Sequence, residues 1–201
     1  SRLSIGIRGL NPRRSSRVLI LEDGIPIQPA VYTYPNVYYN PPAERISAME
    51  VIKSSSSVRF GPQTMGGVVN YITRRPDGTN TWSSQLTGGN NGYLSALLEK
   101  RGIGSRIKNT DVQLLYKQGN GFRDNNAFKQ INSTVKSQLQ FSDKKVVYLK
   151  ANVNFEDSDA TYTGLTEYSF RNFPSFNPKD HDNFKVFRAS IDMIYTNQLS
   201  A

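Results

Sequence analysis

From residue 79 onward the chain alternates between apolar and polar side chains with a period of two. In 146–156, Val147, Leu149, Ala151, Val153 and Phe155 share one face. Tyr148, Lys150, Asn152, Asn154 and Glu156 share the other. Residues 131–141 split the same way, with Val135, Leu139 and Phe141 opposite Asn132, Thr134, Lys136, Gln138 and Gln140. Residues 187–195 repeat it, with Ala189, Ile191 and Met193 opposite Arg188, Ser190 and Asp192, and 81–88, 93–100 and 111–117 are weaker copies. A period of two is the strand period, so the pattern predicts six strands. A polar face on every strand fits a membrane barrel with lipid outside and water inside, although a soluble sandwich also alternates. The connections favour the barrel. Asn90-Asn91-Gly92 and Ser142-Asp143-Lys144 read as tight turns. Residues 157–183 form a long, irregular, aromatic connection carrying Tyr162, Tyr168, Phe170, Phe173 and Phe176. Barrels place their long loops outside the cell, so the fifth strand would end on that side.

Residues 1–78 have a different pattern and predict a small mixed α/β unit. A strand is expected over 3–8, broken by Asn11-Pro12, with Arg13, Arg14 and Arg17 in the polar connection that follows. The apolar run 18–21, then Glu22-Asp23-Gly24, then Ile25-Pro26-Ile27 reads as a hairpin, because Asp and Gly tolerate positive φ. Pro26 marks its return strand as short or at an edge. Residues 28–42 are rich in proline and tyrosine, including Tyr32, Tyr34, Tyr38 and Tyr39, and read as an ordered loop. Asn40-Pro41 suits a helix start running through Ile46. The stretch 44–76 then organises the unit. It reads as a strand over 49–53, a serine-rich bend, Arg59-Phe60-Gly61-Pro62 turning into a short helical piece, and a strand over 68–73 released by Gly66-Gly67.

Glu50-Val51-Ile52-Lys53, Phe60-Gly61-Pro62-Gln63 and Gly66-Gly67-Val68-Val69-Asn70-Tyr71-Ile72-Thr73-Arg74 resemble the end of the plug domain of TonB-dependent outer-membrane receptors. The resemblance extends upstream through Ile7-Arg8-Gly9 and Leu21-Glu22-Asp23-Gly24-Ile25-Pro26. Pro62-Gln63-Thr64-Met65-Gly66-Gly67 and Thr163-Gly164-Leu165-Thr166-Glu167-Tyr168 are most similar to the ferric-citrate-receptor-like branch. Ser54 stands where the family usually has glycine. The resemblance implies a mainly β chain: the C-terminal part of a plug over 1–78, then the first six antiparallel strands of a transmembrane barrel of about 22 strands over 79–201. The long extracellular loop is 157–183. On this reading the chain is a fragment, since six strands leave two open edges.

The same resemblance implies energised uptake across the bacterial outer membrane, with TonB pulling on a segment upstream of Ser1. The cargo would be a ferric siderophore or a ferric citrate-like chelate. Candidate ligand contacts are Arg13, Arg14, Arg17, Tyr32, Tyr34 and Asn36 on the plug, and Tyr162, Tyr168 and Arg171 on the outer loop. Arginine forks and tyrosine hydroxyls suit the carboxylate or catecholate oxygens of such chelates, and solvated loops or plug–wall packing would use the same residues. Arg8 and Lys53 match positions where the family pairs plug cations with wall acids. Haem, cobalamin, another metal chelate or a glycan are alternative cargoes. A non-transporting adhesin or carbohydrate-binding module is the alternative outside the class.

Composition narrows this further. A mean hydropathy of −0.53 and the lack of any apolar run near 18 residues exclude a bundle of membrane helices but not a barrel. There is no cysteine, hence no disulfide framework or thiolate metal site. The net charge of +9 suits anionic partners such as outer-membrane lipid, lipopolysaccharide or an acidic ligand. The lysines and arginines are scattered among strand positions, which argues against nucleic acid. No catalytic constellation appears, so an enzyme, a resident metal and a bound cofactor are not expected. The lone His181 lies between Asp180 and Asp182 and reads as a surface residue. Asp157/Asp159 and Asp180/Asp182 lack the spacing of a calcium loop.

Overall fold

The computed structural model describes residues 5–12, 15–27, 39–105, 108–159 and 164–198. The chain divides into two compact units, Ser1–Arg75 and Pro76–Ala201.

The first unit holds a four-stranded sheet of β1 (Val18–Glu22), β2 (Ile25–Pro26), β3 (Ile46–Ile52) and β4 (Gly67–Thr73), in the order β2-β1-β4-β3. β1 runs parallel to β4 and antiparallel to β2, and β3 is antiparallel to β4. Every residue of β1 is buried, as expected of a central strand covered on both faces. Val18 and Ile20 pack with Ile27, Tyr39, Val69 and Tyr71, while Leu19 and Leu21 pack with Val68, Ile52 and Phe60 on the other face. Full burial of each such chain stabilises by about 1.5–3 kcal/mol. The hairpin turn is Asp23-Gly24, with φ of 55° and 85°, and β2 is a two-residue edge strand as Pro26 requires.

Three local expectations in this unit are corrected. The described part of the strand expected over 3–8 is not a strand: residues 5–7 carry no regular structure, Arg8 and Gly9 both take positive φ, and the Leu10 N–H donates to the Ile7 carbonyl at 3.2 Å across that turn. The helix expected from Asn40 is a single 3-10 turn, Ala43–Arg45, with Pro42 at its start and no side-chain cap. A helix this short gains little from propagation, and Ile46 instead pairs with Thr73. The helical piece falls before Gly61, not after it. Ser55–Phe60 form a 3-10 helix that ends where Gly61 takes φ 109°.

In the second unit, six consecutive antiparallel strands form one meander: β5 (Thr81–Gly88), β6 (Leu94–Gly104), β7 (Lys108–Gly119), β8 (Phe128–Ser142), β9 (Lys145–Ser158) and β10 (Phe184–Asn197). Its burial is inverted relative to a soluble protein. On β8 to β10 the polar positions are the shielded ones, with Asn154 0% and Lys136 1% exposed. The apolar positions are open, with Phe187 71%, Ile191 82% and Met193 67% exposed. A soluble sandwich would bury the second set, so this sheet is built to face lipid with its apolar side. Register places Leu86, Ala96, Tyr116, Ile131, Phe155 and Phe187 side by side in one outward row. From Phe187 to Tyr195 the strand runs about 27 Å at about 3.4 Å per residue. A barrel tilt of about 35–45° makes that about 19–22 Å across the membrane.

One further correction concerns the long connection between β9 and β10, which is not wholly irregular. It contains α1 (Glu167–Asn172), whose N-cap Thr166 accepts from the Ser169 N–H at 3.2 Å. Glu167 and Arg171 pair one turn apart at 2.5 Å.

Candidate functional site

The inner face of the sheet is a set of polar rows. Asp111 of β7, Lys136 of β8, Lys150 of β9 and Asp192 of β10 are successive register neighbours. Lys150 meets Asp192 at 3.2 Å. Asp111 lies 3.8 Å from Arg101 Nε and accepts from the Gly102 N–H at 2.9 Å. The row has a carboxylate at each end, so each buried lysine has one acidic register neighbour, as a desolvated cation requires. Next to it, Asn152 Nδ2 donates to Thr134 Oγ1 at 2.7 Å and to Asn132 Oδ1 at 3.1 Å. Asn132 and Gln130 both donate to Asn154 Oδ1, at 3.1 and 2.9 Å. These bonds pair most of the buried amide groups of this wall, while Asn152 Oδ1 and Asn154 Nδ2 have no hydrogen-bond partner among the described residues.

At one end of the sheet two connections are tied together. Asn177, almost wholly buried, donates to the carbonyls of Asp124 and Lys179 at 3.0 Å each. Asn125 Nδ2 donates to the Asp182 and Lys179 carbonyls, and the Asp124 N–H to the Ser175 carbonyl. Arg123 donates to the Phe176 carbonyl through Nε and Nη2. A cavity of about 380 Å³ opens beside this clasp, lined by Asp124, Tyr168, Ser169, Phe173, Ser175 and Phe176. Asn183 closes the base of the connection by donating to Asp157 and Asp159.

In the first unit a buried cluster joins strand to loop. Arg45 Nη2 donates to Glu22 Oε1 at 3.1 Å and to the Tyr39 hydroxyl at 2.6 Å, and that hydroxyl donates to Glu22 Oε2 at 3.2 Å. Burial alone pushes the Arg45 pKa down. Glu22 and the Tyr39 hydroxyl outweigh it and hold the guanidinium above its ordinary value. Asp23 ties the hairpin to the end of β4 by accepting from the Thr73 N–H at 2.8 Å and its hydroxyl.

Residues 1–68 match the TonB-dependent Receptor Plug Domain family. The fold of the chain is that of such a plug followed by barrel strands. The fold is similar to that of the ferric citrate transporter FecA in its unliganded form. The TM-score is 0.81 at 22% identity, covering 99% of this chain and 31% of that one. It is also similar to FpvA of P. aeruginosa bound to a heterologous pyoverdine, with TM-score 0.70 at 16% identity, covering 90% and 26%. A third likeness is to the copper transporter OprC, with TM-score 0.58 at 21% identity, covering 72% and 24%. The chain therefore spans about a third or less of the length of these structures. TonB-dependent receptors are outer-membrane β-barrels with the plug in the lumen, and are transporters rather than enzymes.

Several of the expected plug and loop contacts can be placed. Arg8 Nη2 donates to the Lys53 carbonyl, so the two plug cations singled out in the sequence lie together, both exposed. Arg17 Nη1 lies 4.0 Å from Met65 Sδ, and its carbonyl accepts from the Gly66 N–H at 2.7 Å. Tyr168 stands edge-on to Phe173, 6.5 Å between centroids, at the cavity rim. Arg171 points to Glu167 on the same exposed helix. Arg13, Arg14, Tyr32, Tyr34, Asn36 and Tyr162 lie outside the described residues. Sequence reasoning missed the Glu22–Tyr39–Arg45 cluster and the Asn177 clasp, whose partners lie far apart in sequence. The α1 helix did carry a signal, a threonine cap three residues before Ser169 and an i,i+4 acid–base pair.

Proposed function

We propose that this chain is the plug and opening wall of a receptor that takes up a ferric chelate, a siderophore or a ferric citrate-like complex, using energy delivered through TonB. The observation that carries this reading is the likeness to the ferric citrate transporter FecA across 99% of the chain, plug and wall together. The tied outer connections with Tyr168 and Phe173 at their cavity support it, because a rigid rim suits cargo capture. Arg13, Arg14 and Arg17 would supply charge-assisted bonds to chelate oxygens, with Tyr32, Tyr34 and Asn36 beside them, while Tyr168, Arg171 and Tyr162 would meet cargo from the outer side. Arg8 and Lys53 would pair with acids of the wall.

Uptake of radiolabelled ferric citrate and ferric siderophores by cells carrying the receptor tests this. Neutralising Arg13, Arg14 and Arg17 together should cut uptake at least about tenfold, as expected for lost charge-assisted bonds of about 1.5–3 kcal/mol. Wild-type uptake after all three changes would remove them from the site. A second reading, copper or another metal chelate, follows from the likeness to the copper transporter OprC. Binding of copper in place of every iron chelate offered would establish it.

A further inference from the structure

The outward face of the wall has a chemically distinct lower rim, at the end carrying the short connections. The rim is oblique to the register rows. β5 begins at Thr81, one residue from Trp82, whereas β10 runs on from Ile191, in the same row, to Asn197. Tilted barrel strands produce such a stagger, and it places Trp82 and Lys100 at the membrane boundary rather than at mid-depth. Lys100 Nζ sits over the Trp82 ring, 5.1 Å from its centroid, and donates to Asn80 Oδ1 at 2.5 Å. Along the same rim the outward positions are Lys108, Phe141, Lys145 and Tyr195, all exposed. Rings and ammonium groups therefore share one edge. The carboxylates near it are Asp77, which is turned to Arg101 at 2.7 Å, and Asp143, in the turn beside Lys144.

The opposite rim is different. There the outward lysines Lys129 and Lys185 flank Asp157 in register, and Lys185 lies 3.4 Å from its carboxylate. A carboxylate lies between the two lysines at that end, whereas Lys100, Lys108 and Lys145 have no carboxylate among their register neighbours. A lysine on the lipid side costs up to about 2–4 kcal/mol at mid-depth and about 0–1 near the interface. Fixing Lys100 on an indole face holds its charge at headgroup depth.

We infer that this rim, Lys100 on Trp82 with Lys108 and Lys145, binds the phosphates of anionic phospholipids in the leaflet on the short-turn side. Aromatic rings set the depth, and the ammonium groups meet the phosphates. The test is native mass spectrometry of the full-length receptor taken from vesicles of phosphatidylcholine with phosphatidylglycerol, counting retained lipid of each kind. The wild type should retain phosphatidylglycerol preferentially. Each lysine removed in K100Q, K108Q and K145Q should cut that retention about fivefold, the factor for one lysine near an anionic surface. K129Q/K185Q at the other rim should leave it unchanged. Heat-modifiable gel migration reports folding, and K100R/K108R/K145R should fold and keep the lipid if charge is what matters. No preference for phosphatidylglycerol in the wild type overturns the inference. So does equal retention in the triple glutamine variant, or equal loss from the opposite rim.

Discussion

Replacing Arg45 by methionine removes a guanidinium from the centre of the plug while keeping most of the side-chain bulk. Its side chain is fully buried and that of Glu22 nearly so. The variant leaves the Glu22 carboxylate with only the Tyr39 hydroxyl of the contacts described above. Breaking a buried pair from one side costs about 3–5 kcal/mol. At 1.4 kcal/mol per tenfold, the plug should open locally about a hundred to several thousand times more often. Hydrogen exchange of the receptor, followed on a peptide spanning 18–22, reads this directly, since those amides belong to the most buried strand. Removing the whole cluster with Glu22→Leu, Tyr39→Phe and Arg45→Met should recover most of the protection, because apolar replacements of a buried ion pair are often neutral. Exchange in the Arg45→Met receptor within about tenfold of wild type, or no recovery in the triple variant, would refute the cost assigned to removing the guanidinium from Glu22.

Three more outcomes follow from the geometry. Gly67→Ala should weaken the β3–β4 pairing by at least about 1–3 kcal/mol, because Gly67 has φ 128° and a Cβ would lie 2.4 Å from the Ile52 carbonyl oxygen; faster exchange on β4 checks it. Ile191→Lys on the lipid face should cost up to about 2–4 kcal/mol and lower the yield of folded receptor in vesicles, whereas Ser190→Lys on the inner face should be milder. The Asp77 carboxyl is held below its ordinary 3.8, first by the Thr79 N–H and hydroxyl and then by Arg101. A depressed carboxylate adds stability above its unfolded pKa and loses it as pH falls through the folded value. The difference in thermal midpoint between wild type and Asp77→Asn should therefore hold at neutral pH and shrink below about pH 3.8.

The six wall strands were legible because one face of each is committed to lipid and the other to water, so the period survives even in strands of low mean hydropathy. Asp23-Gly24 and Asn91-Gly92 were legible for a local reason: both need positive φ, which few residues supply cheaply. Tertiary pairing overrode local signals elsewhere. Asn40-Pro41 carries a good helix start, yet the ladder between Ile46 and Thr73 and the burial of Arg45 against Glu22 stop the helix after one turn. Ser54 to Ser57, read as a bend, turn helical because the Ser57 N–H reaches the Ser54 carbonyl at 3.0 Å. The outer clasp was invisible because Asn177 and Asp124 are far apart in sequence and follow no periodic pattern. Arg8 and Lys53 were singled out by resemblance alone; their meeting through a backbone carbonyl could not be read from spacing.

The central claim is that the wall turns its apolar face to lipid and its polar face to water. Spin labels placed one at a time along 147–156 of the receptor in vesicles test it most directly, by accessibility to oxygen and to a water-soluble nickel complex. Labels at 147, 149, 151, 153 and 155 should favour oxygen, and those at 148, 150, 152, 154 and 156 should not. A reversed alternation, or none, would contradict the account.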